Sequence, residues 1–243
     1  MEKKDRIITF VKAIDVDFFN DFVDGKILMS TIKYFRDLEK TDSNIGDSYE
    51  GVKMVCGKGG ELFIAEPIED YCSESDYLNK LNGAEWELLS SDLVNSKFFN
   101  LDDDANILSL YAITFADVDN PGGVFTIDQK FFNEFKRHRF IIVMNPNEFY
   151  FRIKKALEKM NRTIEMGLVQ YYKLDENVLS NLSFFNKPNR LSYQHEFRIV
   201  SRDKPTKKMI IDIGPIHDIC YELDVSKKHF IQVFDDKFSI KIE

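Results

Sequence analysis

Short runs of apolar residues, most of strand length, recur along this chain, and the polar turns between them carry Gly, Asn and Asp. Residues 6–11 are rich in β-branched and aromatic side chains and predict a first strand. Asp15 can cap a short helix over 16–24, where Val16, Phe19, Phe22 and Val23 fall near helical spacing. Gly25 stops that helix. Residues 26–34 predict a second strand, with Ile27, Met29 and Thr31 on one face and Leu28, Ser30 and Ile32 on the other. A polar loop over 38–51 carries Asp47 and Glu50 between Gly46 and Gly51. Loops held between rigid elements are where function concentrates. Residues 52–67 predict a hairpin around 57–60.

Further along, 106–115 predicts a central core strand, 131–137 a short helix or turn, and 139–144 a strand. A helix opened by Asn145 or Asn147 is expected through Lys159, because Phe149, Ile153, Ala156, Leu157 and Met160 recur at helical spacing. Strands are expected at 166–172, 193–200, 208–213, 230–234 and 238–242, with 217–223 a short helix or strand. Residues 66–105 are acidic, hold only helical fragments, and are expected as an insertion or lid within a single domain spanning 1–243. Many strands and few helices predict an α+β fold with a mixed, mostly antiparallel sheet.

Composition narrows the chemistry. The chain has 243 residues, 44% of them hydrophobic, enough to bury a substantial core. Its 22 Phe against one Trp occur in short clusters and read as core anchors. A formal charge of −8 argues against non-specific nucleic-acid binding through a basic surface. Three irregularly spaced cysteines, Cys56, Cys72 and Cys220, form neither a disulfide framework nor a CxxC pair. The four histidines have no zinc spacing, so no metal is expected. No signal-peptide run opens the chain, and no apolar stretch approaches the roughly 20 residues that span a bilayer. The expectation is a soluble, cytoplasmic protein without membrane contact. Glycine-rich phosphate loops and nucleophile elbows are missing, so hydrolase, kinase and metalloenzyme readings have no motif to rest on.

The candidate chemistry gathers at 191–200. Gln194 and Glu196 lie two apart at the entrance of a predicted strand, which places an amide and a carboxylate on one face beside Tyr193, His195 and Arg198. Tyr34, Phe35 and Arg36 end the second strand, Tyr111 sits on the central strand, and Lys187, Asp47 and Glu50 complete a dispersed polar set. A purely structural reading stands beside the catalytic one. Arg36 and Arg198 would each clamp a carboxylate, Glu50 or Glu196, and pin the loop to the sheet.

The Gln194-x-Glu196 strand entrance resembles the catalytic turn of ADP-ribosyltransferases, and the opening strand, helix, glycine and strand resemble the start of that fold. The resemblance implies an ADP-ribosyltransferase-like core with NAD as substrate. Glu196 would be the catalytic carboxylate that steadies the oxocarbenium-like ribose, and Gln194 would orient the acceptor. It further implies that Arg6 and Arg36 hold the pyrophosphate and that Tyr34, Phe35 or Tyr111 stacks on nicotinamide. The chain departs from the family in lacking a clear Ser-Thr-Ser strand motif, the nearest run being Ser109 to Thr114, and in having no His before His138.

A second resemblance covers about two thirds of the chain. Gly25, the run from Phe35 to Glu39, the run from Gly46 to Gly51, residues 108–114 and 171–173, and the stretch from Phe185 to Arg198 are similar to a family of bacterial and prophage proteins found near mobile elements and defence genes. That family brings no activity with it. It implies a toxin or phage-defence setting and one cluster made of Arg36, Asp47, Glu50, Glu196 and Arg198. A non-catalytic alternative is an acidic binding protein that inhibits a nucleic-acid-binding partner, as in phage counter-defence, with the acidic 66–104 segment as its contact surface.

Overall fold

The computed structural model describes residues 6–38, 50–56, 63–64, 87–88, 97–99, 105–118, 124–127, 129–173, 178–179, 182–202, 207–227, 229–234 and 237–242. Its strands in chain order begin with β1 (Ile7–Asp15), β2 (Lys26–Thr31), β3 (Val52–Cys56), β4 (Phe63–Ile64), β5 (Glu87–Leu88) and β6 (Lys97–Phe99). Next come β7 (Asn106–Thr114), β8 (Val124–Thr126), β9 (His138–Val143), β10 (Glu165–Leu168), β11 (Gln170–Tyr172) and β12 (Val178–Leu179). The last are β13 (Asn186–Pro188), β14 (Glu196–Ser201), β15 (Met209–Asp212), β16 (Cys220–Leu223), β17 (His229–Phe234) and β18 (Lys237–Ile242). The fold is α+β with a mostly antiparallel sheet.

The chain packs as two compact units. One comprises 1–51, 100–172 and 184–243, and the other 52–99 and 173–183. The larger unit is built on an eight-stranded sheet. β7 lies inside it, with β14 and then β10 on one side. On the other side its C-terminal half pairs with β1, which continues through β9 to β16. Its N-terminal end pairs instead with β2, which pairs with β15. Every one of these pairings is antiparallel. A three-stranded β8–β17–β18 sheet and a short parallel β11–β13 pair belong to the same unit.

Both faces of the sheet are covered, which is why β7 reads as a nearly unbroken apolar run. Phe10, Leu108, Leu110, Phe197 and Ile199 pack with Phe149, Ile153 and Leu157 of the helix Pro146–Lys159. Val11, Tyr111, Ile113 and Ile142 pack on the opposite side with Phe131 of the helix Gln129–Glu134. The long helix starts where its signals lie. Asn145 accepts from the Glu148 amide, and Pro146 occupies the first turn. Gly25 takes φ +89°, and a Cβ there would fall 1.9 Å from the Gly214 carbonyl oxygen, so only glycine fits this junction.

Four expected elements differ. The second strand ends at Thr31, because the Thr31 hydroxyl accepts from the Tyr34 amide and turns the chain into the helix Ile32–Leu38. Residues 166–172 form two strands that break at Val169, whose amide donates to the Glu196 carbonyl. The strand expected over 193–200 begins only at Glu196, because Asn189–Gln194 is a 3-10 helix. The hairpin expected over 52–67 is replaced by distant partners. β3 pairs with β6 and β12, and β4 with β5. Residues 57–62, where that turn was expected, lie outside the described residues. Among the described residues, no helix is long and apolar enough to cross a membrane. Most of the 66–105 stretch lies outside the described residues.

Candidate functional site

The sheet opens into a fork beside β7. Tyr111–Thr114 pair with β1, whereas Asn106 and Ile107 pair with β2. Leu108–Leu110 lie between these registers, where β1 and β2 leave β7 for separate partners. Ser109 is the one residue of β7 that is not buried. A cleft of about 750 Å³ opens here. Lys12, Ser30, Ser109 and Tyr111 line it from the strands, Tyr34 and Phe35 from the helix after β2, and Lys187, Gln194 and Glu196 from the β13–β14 side. Among the described residues, six cationic side chains line the cleft (Lys12, Lys26, Lys136, Arg137, Lys187 and Lys208) against three carboxylates (Asp15, Glu134 and Glu196). Of these cations, Lys26 is paired with Asp21 and Arg137 with Asp17.

At one end of the cleft sits a buried ionic cluster. Arg198 is 1% exposed. Its Nη1 and Nη2 donate to Glu50 Oε1 and Oε2 at 2.6 Å each, and its Nε donates to Glu196 Oε1 at 2.7 Å. Nη1 also donates to the Phe184 carbonyl. Lys187 Nζ lies 2.7 Å from Glu196 Oε2, 3.9 Å from Glu50 Oε2, and donates to Gln194 Oε1 at 2.9 Å. Arg36 donates to the Glu50 carbonyl oxygen at 3.1 Å. Gly51, at φ +73°, lets the chain turn directly after Glu50, and a Cβ there would meet Ile32 at 2.8 Å.

Two carboxylates thus face two cations in a nearly dry volume, and each side satisfies the other. Burial alone would raise the Glu196 pKa, but Arg198 and then Lys187 outweigh it and hold the carboxyl well below the usual carboxylate range. Burial opposes the Arg198 charge, and Glu196 and Glu50 more than restore it. Tyr171 accepts from the Glu196 amide at 2.9 Å. Burial, and then the Glu196 charge, push its phenol upward, so it stays neutral.

The structure brings Glu50, Lys187, Gln194, Glu196 and Arg198 together, with Arg36 behind Glu50. Gln194 and Glu196 do not meet as neighbours on one strand face. Gln194 ends the 3-10 helix, and His195 between them is left-handed at φ 39°. The Lys187 ammonium joins them instead. Tyr34 and Phe35 are helical, with rings 5.5 Å apart, and the Lys208 ammonium lies 3.6 Å from the Tyr34 ring centre. Tyr111 stacks on His195 at 5.3 Å, and Lys130 lies over Tyr193 at 4.2 Å. Arg6 lies over Phe115 and lines a separate, largely apolar hollow, so it is not in the Glu196 cleft. Arg36 does not line the cleft either. Asp47 lies outside the described residues.

Sequence reasoning missed Lys12 and Tyr171 as site residues. Lys12 is half-buried on β1 and donates to the Ser109 carbonyl oxygen at 2.9 Å. Burial lowers its pKa to about 8, against an opposing pull from Glu196. The available signal was a lone cation inside the apolar run of β1. Among the described residues, no group of three or more His, Cys, Asp or Glu is placed to hold a metal ion. Comparison with models of protein families, with curated proteins and with solved structures finds no match to this chain.

Proposed function

We propose that the cleft at the strand fork is a nucleotide site and that the protein transfers ADP-ribose from NAD. The observation that carries this reading is the convergence of Glu196, Gln194 and Lys187 with Tyr34, Phe35 and Tyr111 on one cleft of about 750 Å³. A volume of that order suits a nucleotide-sized ligand. Tyr34 and Phe35 offer stacking surface, and the cationic lining suits phosphate oxygens.

The electrostatics select a role for Glu196. A carboxyl held far below neutrality does not take a proton near pH 7. It can act as a fixed negative group beside the ribose carbon whose bond to nicotinamide breaks. That bond's electron pair leaves on nicotinamide, and an acceptor lone pair closes on the same carbon as the acceptor gives its proton to water. Each Glu196 oxygen already accepts a charged donor and keeps lone-pair capacity for a ligand hydroxyl. Gln194 would orient the acceptor through its amide.

The test is nicotinamide release and transfer of labelled ADP-ribose from NAD into a bacterial extract. Wild-type protein releases nicotinamide and transfers label, and Gln194→Ala loses transfer more than release. A folded wild-type protein that does neither removes the reading. The alternative of an acidic inhibitor acting through 66–104 draws on residues that lie largely outside those described.

A further inference from the structure

The charges around the cleft do not balance evenly. Glu50 and Glu196 are matched by Arg198 and Lys187 at hydrogen-bonding or ion-pair distances, so the buried cluster closes without a further cation. Lys12 stands outside that account. Its hydrogen-bond partner is a neutral carbonyl, that of Ser109, and among the described residues no carboxylate lies within ion-pair distance of it, Glu196 acting on it from farther away. A half-buried ammonium with only a more distant counter-charge is unfavourable, and an arriving anion relieves that cost.

The position of Lys12 has a structural origin. In the β7–β14 ladder the Ala112 amide points toward β14, where it donates to the His195 carbonyl. By the alternation of an antiparallel ladder, the Ser109 carbonyl points the other way, into the fork. Lys12 reaches that carbonyl across the gap between β1 and β2, and its amine keeps two further N–H donors. Both Lys12 and Ser109 line the cleft.

We infer that Lys12 is the anion receptor of the cleft, and that the ligand places a phosphate group in the strand fork against the Lys12 ammonium and beside Ser109. This deepens the reading above by naming where a phosphate sits. It rests on the cleft being a ligand site and not on the transfer reaction. A phosphate can belong to a nucleotide or to a free inorganic ion, and the two sources are separable.

Calorimetric titration of the full-length protein with pyrophosphate and with NAD tests it, using wild type, Lys12→Met and Lys12→Arg, with a denaturant melt of each. The expected result is binding to wild type, a loss of about tenfold to a hundredfold in Lys12→Met, and recovery in Lys12→Arg. Lys12→Met should be at least as stable as wild type, since it removes a half-buried charge whose desolvation outweighs the pull of Glu196. Unchanged binding by Lys12→Met would overturn the inference and leave the cleft reading intact. A destabilised Lys12→Met would mark Lys12 as a structural cation and overturn it as well. Pyrophosphate binding without NAD binding supports the phosphate site and counts against the nucleotide reading. No anion binding by wild type overturns both.

Discussion

Arg198 and Glu50 lie 148 residues apart and meet through two parallel hydrogen bonds of 2.6 Å. The planar guanidinium matches the carboxylate edge to edge, so the end of one loop is fixed against the central sheet. Glu196 completes the other edge of the same guanidinium. Arg198→Met leaves two buried carboxylates with Lys187 alone. The expected loss is about 3–5 kcal/mol in denaturant unfolding. Combining Arg198→Met with Glu50→Gln should cost less than the sum of the single changes. Strict additivity would show that the pair is not coupled.

Acid should weaken the fold through Glu196. Burial raises its pKa, but Arg198 and Lys187 lower it further than that, so the folded value lies below the ordinary 4.5. The folded state therefore favours the ionised form. That stabilisation is present above pH 4.5 and is lost as pH falls below 4.5 toward the folded value. Urea midpoints followed downward through pH 4.5 should fall more steeply for wild type than for Glu196→Gln. That variant is itself expected to be less stable at neutral pH, because it leaves the cations Arg198 and Lys187 with less counter-charge.

Lys12 gives the opposite dependence. Its folded pKa of about 8 lies below its ordinary 10.5. Between those values the unfolded chain holds the proton and the folded protein has released it, so stability rises with pH across that window. The gain should be on the order of 1–3 kcal/mol. It should vanish in Lys12→Met, as read by denaturant midpoints from pH 8 upward.

Tyr171→Phe removes the oxygen that accepts from the Glu196 amide. A buried donor without its acceptor costs about 1–3 kcal/mol. The hydrogen-exchange protection of the Glu196 amide should fall more than that of neighbouring β14 amides. Equal loss across the strand would mean that Tyr171 acts by packing alone.

Much of the fold was legible because local signals agreed with tertiary packing. The strand around Tyr111, the Asn145-capped helix, and the opening strand, helix, Gly25 and strand all follow from side-chain period and capping. Glu50, Lys187, Glu196 and Arg198 could be singled out as polar residues beside apolar strands, and the clamp of Arg198 on Glu50 was one of the readings they allowed. What failed was geometry set by distant partners. Gln194 reads as a strand residue until the 3-10 turn after Pro188 and the left-handed His195 are known. The fork at Ser109 exists only because β7 changes partner between Ile107 and Tyr111. No window of sequence contains that change, so in the sequence Lys12 reads as part of an ordinary strand.

Calorimetric titration of NAD into the wild-type protein, with thermal unfolding measured on the same samples, tests the fork as a nucleotide site most directly. Saturable binding at one site with a matching rise in melting temperature is the predicted result, since a ligand that prefers the native state stabilises it by mass action. Neither heat nor stabilisation at millimolar NAD would contradict it.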